Sequence, residues 1–284
     1  MAHFIVYGYK EDERMARSCL WCLNRIRKGD DKVTFLDDNF NPCSSEFVEY
    51  AKSLGVEYTQ TYHFRRGNLI GPEHTQNNFR LLEKYSRDDY QGIAVKVDCD
   101  TLVIGREWLD RFIADESKQV AAGFMAQCNY MFGLCYAIRH ATAKRLVDDL
   151  EQNPPFHSCL EDYEISYRVQ NWNPDLFMRF HLAAPLSSKW ACCPIEQLPQ
   201  WDLLEVIDIN RVAGRKQQTE GIMENIVREL KKHDEAKKGP PANTSIPPKT
   251  PSNTVDFSTL CSPYNIKEVK IDEKVASESI TVVG

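Results

Sequence analysis

No run of apolar residues in the 284-residue chain is long enough to span a bilayer, so no transmembrane anchor is expected. Positive charge is scarce. The 35 Lys and Arg against 41 Asp and Glu give a formal net charge of -6, the reverse of the basic footprint of a nucleic-acid surface. The opening "MAHFIVYGYK" lacks the basic region and cleavage site of a signal peptide, and reads directly as a strand. A cytoplasmic protein is the expectation. A second C-x-x-C is also missing: Cys19 and Cys22 form the only such pair among 10 cysteines, and zinc normally needs another ligand pair. The chain is too long for a small disulfide scaffold, and both thiols fall in a helical pattern where they can face a core. No internal repeat is present, and no glycine-rich phosphate loop follows the first apolar run, where "GYKEDER" stands instead.

What is present is a globular composition, 42% hydrophobic and 27% charged, arranged as alternating strand and helix patterns. "FIVYGY" reads as a strand and "EDERMARSCLWCLNRIRKG" as an amphipathic helix closed by Gly29. "KVTFLDD" is a second strand. "SSEFVEYAKSLG" is a helix with a serine cap and a terminal glycine. "VEYTQTYHF" is a third strand, "PEHTQNNFRLLEKYSR" a helix with Pro72 in its first turn, and "GIAVKVDCD" a fourth strand. Such alternation predicts an α/β fold with a mostly parallel sheet.

In a sheet of this kind ligands bind beyond the carboxyl ends of the strands. Those ends carry Gly8, Tyr9 and Lys10; Asp37, Asp38 and Asn39; Arg65, Arg66, Gly67 and Asn68; and Asp98, Cys99 and Asp100. Carboxylates, two arginines and glycine turns suit a metal and a phosphate-bearing ligand. Asp98 and Asp100 form the only D-x-D in the chain. In an extended segment residues two apart point to the same side, and Mg2+ or Mn2+ takes one or two such carboxylates together with substrate phosphates. The plainer alternative is two solvated aspartates in a turn. Arg65 and Arg66 are either phosphate donors or a solvated loop pair.

Asp37-Asp38, "RRGNLIG", "VDCDTLVIGREWL" and, downstream, "NYMFGLCYAI" and "CLEDYEIS" occur in an order that resembles the GT-A fold of nucleotide-sugar-dependent glycosyltransferases, over roughly residues 1–190. The resemblance implies a Rossmann-like sheet flanked by helices and transfer of a sugar, expected from a UDP-sugar, to a glycan or other hydroxyl acceptor. It implies a metal at Asp98 and Asp100, contact of Asp38 with the base or ribose, and an acceptor-side carboxylate from Glu161 and Asp162. Some members use a later histidine as a further ligand, and His181 after "LFMRF" is the candidate, with His157 also in range. Either histidine is equally at home as a hydrogen-bonded structural residue.

The chemistry of the residues is compatible with these roles. A departing diphosphate needs charge stabilisation, which a Lewis-acidic metal supplies, and an attacking hydroxyl needs a carboxylate to take its proton. "SCLEDYEISYRVQ" reads as a helix starting near Ser158, with Ser158 and Glu161 at capping-box spacing. Glu161 then caps its own helix. Asp162 is the freer candidate base, or else a charge favoured by the helix dipole. Gly133 in "NYMFGLCYAI" is expected to let substrate approach the backbone. Tyr130 and Phe132 pack either on a sugar face or in the core.

The expected organisation is a catalytic domain over 1–215, a helix over 216–238, and a proline-rich linker and tail over 239–284. A sugar-phosphate nucleotidyltransferase and a non-catalytic nucleotide-sugar-binding protein are the competing readings. The first normally has the glycine-rich loop that is absent here, and the second does not need both the D-x-D and the acidic pair.

Overall fold

The computed structural model describes residues 1–61, 72–87, 92–124, 130–154, 160–180, 182–183, 205–209 and 216–237. They belong to one compact unit, Met1–Gly239; a second unit, Pro240–Gly284, lies outside the described residues. Among the described residues no helix is long and apolar enough to cross a membrane.

The central strands are β1 (His3–Gly8), β2 (Lys32–Asp38), β3 (Glu57–Thr61), β4 (Ile93–Asp98), β6 (Val120–Phe124), β7 (Met131–Arg139) and β8 (Phe177–Arg179). They form one seven-stranded sheet in the order β3-β2-β1-β4-β7-β6-β8. The first four are parallel, as the alternating pattern predicts. β7 is antiparallel to both β4 and β6, so the sheet is mixed. Short strands β5 (Thr101–Val103), β9 (Leu182–Ala183) and β10 (Val206–Asp208) make a second sheet in the order β5-β10-β9.

Strand order explains where a site can form. The chain builds outward from β1 to β2 to β3, then returns to place β4 on the other side of β1. That reversal is a topological switch point, the place where sheets of this kind take their ligands, here at the carboxyl ends of β1 and β4. Tyr7 and Asp98 are register partners there, and Gly8 pairs with Asp37 one strand further out.

The helices are α1 (Glu13–Ile26), α2 (Ser45–Ser53), α3 (Pro72–Tyr85), α4 (Glu107–Ala114), α5 (His140–Gln152), α6 (Glu161–Trp172) and α7 (Lys216–Lys237). Alternation along β4 separates two cores. Val95, Val97 and Cys99 pack with α1, α2, α4 and α7, whereas Ala94 packs with α3, α5 and α6. Ser44 caps α2 by accepting the Phe47 N–H, as its sequence signal indicates. α7 runs alongside α1 in the same direction, joined by Arg14 to Glu220 (2.7 Å) and Glu224 (2.8 Å) and by Arg25 to Asp234 (2.6 Å).

Candidate active site

Lys96 is the residue that organises the crevice, and sequence reasoning missed it. It sits mid-strand in β4 and is buried, two residues before Asp98, so both side chains leave the same face. Its ammonium pairs with Asp98 Oδ1 at 2.6 Å and Glu161 Oε1 at 3.2 Å, and donates to the Gly133 carbonyl. It also stands 6.0 Å from the Tyr7 ring centroid and 5.8 Å from that of Tyr136. Burial works against its charge, but Asp98 and then Glu161 outweigh burial and hold its pKa well above the ordinary lysine value. The available signal was a lysine and an aspartate two apart in an otherwise apolar strand, where an isolated charge would be costly.

A polar chain runs beneath this cation. The Tyr7 hydroxyl donates to Asn78 Oδ1 (2.8 Å), and Asn78 Nδ2 donates to the Tyr136 hydroxyl (3.3 Å). β1, α3 and β7 are thereby tied together around the β4 side chains.

Asp98 remains a third exposed on its side chain, despite the ion pair. Burial lifts its carboxyl to about 7; Lys96 opposes the shift, and the negative charges of Asp100 and Glu161 add to it. Asp100 lies just beyond the strand and is half-buried. Two carboxylates with an exposed share, close enough to repel one another, have the hard oxygen donors that Mg2+ or Mn2+ takes alongside substrate phosphates. Among the described residues no cluster of three or more His, Cys, Asp or Glu could enclose a metal. His181 and His157 lie outside the described residues.

The acidic pair enters from α6. The helix begins at Glu161 with Leu160 at its N-cap position; Ser158, the other half of the expected capping box, lies outside the described residues. Glu161 occupies the first helical position rather than the third, and its carboxylate turns to Lys96. Asp162 is buried, and its Oδ2 accepts the Gly133 N–H (2.9 Å) and the Tyr130 hydroxyl (2.9 Å) while Oδ1 accepts the Tyr163 N–H (2.8 Å). Burial and then repulsion from Glu161 push the Asp162 carboxyl up to about 6, against the Tyr130 hydrogen bond. Gly133 was expected to admit substrate to the backbone. Asp162 fills that space instead: a Cβ on Gly133 would meet Asp162 Oδ2 at 2.7 Å. Ser166 Oγ accepts the Met131 N–H (3.0 Å) and fastens the next turn of α6 to β7.

The other sequence candidates fall on the β1 and β2 ends. Gly8 serves packing, since a Cβ there would meet the Phe35 ring at 2.7 Å. Tyr9 is buried, with the Lys216 ammonium 5.6 Å from its ring centroid. Asp37 was expected beside a nucleotide, but it is fully buried and braces the loop after β2, accepting the Cys43 N–H (2.8 Å) and the Tyr58 hydroxyl. Asp38 accepts the Phe40 N–H (2.9 Å) in a tight turn that leaves Phe40 70% exposed. Arg65, Arg66 and Asn68 lie outside the described residues. The structure therefore brings together Asp98, Lys96, Glu161 and Asp162, with Asp38 further along the same sheet edge.

No protein-family model and no curated protein sequence matches this chain. Among solved structures it is similar to the glycosyltransferase GlyE of Streptococcus pneumoniae TIGR4, at 13% identity and a TM-score of 0.45 over 82% of this chain. The match spans 63% of GlyE, less than two thirds of its length. It is similar to the galactosyltransferase LgtC solved with donor and acceptor sugar analogues, at 11% identity and a TM-score of 0.47, over 78% of this chain and 96% of LgtC. A glycosyltransferase involved in glycosylation of the major capsid of PBCV-1 gives 10% identity and a TM-score of 0.46, over 78% and 98% of the two chains. These solved structures are glycosyltransferases. At such identities and TM-scores the likeness is one of chain path, too remote to transfer an activity.

Proposed function

We propose that this protein is a glycosyltransferase that moves a sugar from a nucleoside diphosphate sugar, a UDP-sugar in the first instance, to a hydroxyl acceptor with inversion. The observation that carries this reading is the Lys96 ammonium, which joins a strand-end carboxylate, Asp98, to the acidic start of a helix remote in sequence, Glu161. A crevice at the β1/β4 switch point thus has a half-open carboxylate on one side and a buried carboxylate pair on the other.

On the donor side Asp98 and Asp100 would hold Mg2+ or Mn2+, with His181 a further ligand. An ion held there would supply positive charge to the departing diphosphate. Arg65, Arg66 and Asn68 bind phosphate oxygens, Asp38 receives the ribose or base, and the exposed Phe40 ring beside it offers a face for the base. Gly8, Tyr9 and Asp37 shape the edge beneath the nucleotide.

On the acceptor side Asp162 is the general base. Three hydrogen bonds fix its orientation, and a carboxyl raised to about 6 is both ionised near neutrality and basic enough to take a proton. The acceptor oxygen bonds to the anomeric carbon as that carbon's bond to the diphosphate oxygen breaks, and the hydroxyl proton passes to Asp162. Lys96 positions Asp98 and Glu161 and does not itself touch the reacting atoms.

The test is incubation of the protein with Mn2+ and a panel of nucleotide sugars. Release of nucleoside diphosphate, with NMR showing an inverted anomeric configuration in the product, is expected. Pyrophosphate release would make it a nucleotidyltransferase. Saturable binding without turnover would make it a non-catalytic binding protein, and retention of configuration would remove the single-displacement role of Asp162.

A further inference from the structure

Lys96 sets a fixed positive charge beside Asp98, one of the two carboxylates placed to hold a metal ion. Its side chain is 7% exposed. Its ammonium is held from three elements: by Asp98 Oδ1 at 2.6 Å on its own strand β4, by Glu161 Oε1 at 3.2 Å on α6, and by the Gly133 carbonyl on β7. The rings of Tyr7 and Tyr136 wall it in at 6.0 and 5.8 Å. A surface lysine swings its head into water when another cation arrives. This one is enclosed, and its charge stays where it is.

The pair is not confined to the core. Glu161 is buried to 11% side-chain exposure, but Asp98 keeps 33% and lies at the open end of the strand. An ion approaching Asp98 therefore meets a carboxylate that an ammonium already shares. It is also repelled by that ammonium, and the repulsion of a divalent ion is twice that of a monovalent one. Salt screens such a buried neighbour weakly. Two things offset the repulsion: removal of the ammonium, which the packing forbids, or arrival of negative charge with the ion. A diphosphate brings that charge together with oxygen donors of the kind Mg2+ and Mn2+ take.

We propose that Lys96 is a specificity-determining residue, which makes the Asp98 and Asp100 edge accept a divalent ion together with a diphosphate and disfavour the ion alone. The inference rests on the glycosyltransferase reading for the identity of both ligands, but it concerns binding and not turnover. Lys96 touches neither the diphosphate nor the reacting atoms. It acts through Asp98, and Glu161 holds it in that position from the far side. Metal and nucleotide then load as a coupled pair, each strengthening the other by the same factor.

The experiment is titration of the full chain with Mn2+, alone and with UDP, reading free Mn2+ from its electron paramagnetic resonance signal. A titration without protein corrects for Mn2+ bound to UDP in solution. Wild type is expected to bind Mn2+ at least about tenfold more tightly with UDP than without, and calorimetry should show Mn2+ raising UDP affinity by the same factor. The Lys96→Met/Glu161→Gln pair removes the ammonium and one carboxylate together. The local charge sum is unchanged, and Glu161 is not left as a buried, unpaired charge. This protein is expected to bind Mn2+ alone about tenfold more tightly than wild type, with the UDP effect smaller by that factor. Adding Asp98→Asn should abolish the gain, whereas Lys96→Arg, which keeps the charge, should keep the wild-type pattern. Equal or weaker Mn2+ binding by the pair, or a gain that survives Asp98→Asn, would overturn the proposal. So would wild type binding Mn2+ as tightly without UDP as with it, a result that needs no variant to fold. Diphosphate release from nucleotide sugars is measured separately on the wild type. If release is absent while the binding pattern holds, the transferase reading fails and the role of Lys96 stands; if release is normal while the pattern is absent, the reverse holds.

Discussion

α1 and α6 are helices of similar length in the same unit, and they use water in opposite ways. α1 buries Met15, Ala16, Cys19, Leu20, Cys22 and Leu23, and turns Arg14 outward to ion pairs on α7. α6 buries Ile165 and Val169 in the core as α1 buries its apolar face, but it also buries three carboxylates and an arginine. Every choice in α1 agrees with packing, and that explains its two cysteines: burial pushes Cys22 up to about 12 and Cys19 well above the ordinary thiol value, so both are inert core residues. In α6 local preference and packing disagree. Such conflicts concentrate where function constrains the sequence more tightly than stability does.

The sharpest test of this contrast is Lys96→Met. Removing one member of a buried ion pair leaves Asp98 and Glu161 without their cation, at a cost of about 3–5 kcal/mol. Urea unfolding at pH 8 measures the loss. It should shrink as pH falls through about 7 and below, because Asp98 is already raised to about 7 with Lys96 opposing the shift, and its protonation removes an uncompensated charge. A pH-independent loss would mean that Lys96 contributes packing alone.

Leu20→Ala, on the buried face of α1, should cost about 2–5 kcal/mol by opening a cavity. It should leave the turnover of the folded protein unchanged. A fall in turnover at full folding would show that α1 is not merely scaffold.

Asp162→Asn should lower transfer about a hundredfold, or about 2.7 kcal/mol in barrier height, with donor affinity held. In the wild type the base must be ionised, so transfer should decline as pH drops through about 6, and the variant should lose that limb. Normal transfer by Asp162→Asn with an inactive Glu161→Gln would assign the base to Glu161.

Arg14→Ala is the small-effect control. The Arg14 side chain is 55% exposed, and its ion pairs with Glu220 and Glu224 should be worth about 1 kcal/mol or less in thermal unfolding. A larger loss would mean that the charges, rather than the apolar seam, hold α7 in place.

Much of this contrast was legible in advance. The 3.6-residue period of α1, the serine cap of α2 and the run of parallel strands follow from local pattern. So does the position of Asp98 at the end of β4. The antiparallel insertion of β7 beside β4 was not legible, because strand order depends on contacts between residues far apart in the chain. Asp37 and Asp38 look equivalent as a dipeptide, but alternation drives Asp37 into the β2–α2 loop core, where the Cys43 N–H and Tyr58 hydroxyl take it up. Glu161 carried a capping signature with Ser158, which lies outside the described residues, and no local pattern could show that Lys96, remote in sequence, pairs with its carboxylate. Gly133 was expected to admit substrate, and the side chain of Asp162, remote in sequence, occupies that space instead.

Cys99 gives the crevice a built-in clock. It lies between Asp98 and Asp100 as a buried residue, 7% exposed, and burial followed by the charges of Asp12, Asp100 and Asp98 holds its pKa well above the ordinary value. An alkylating reagent therefore reaches a reactive thiolate only when the turn between β4 and β5 opens. The labelling rate at Cys99, followed by mass spectrometry, counts those openings without any engineered probe. Occupation of the neighbouring carboxylates would slow the count, so ligand binding at this edge can be timed on the unmodified chain before a substrate is known.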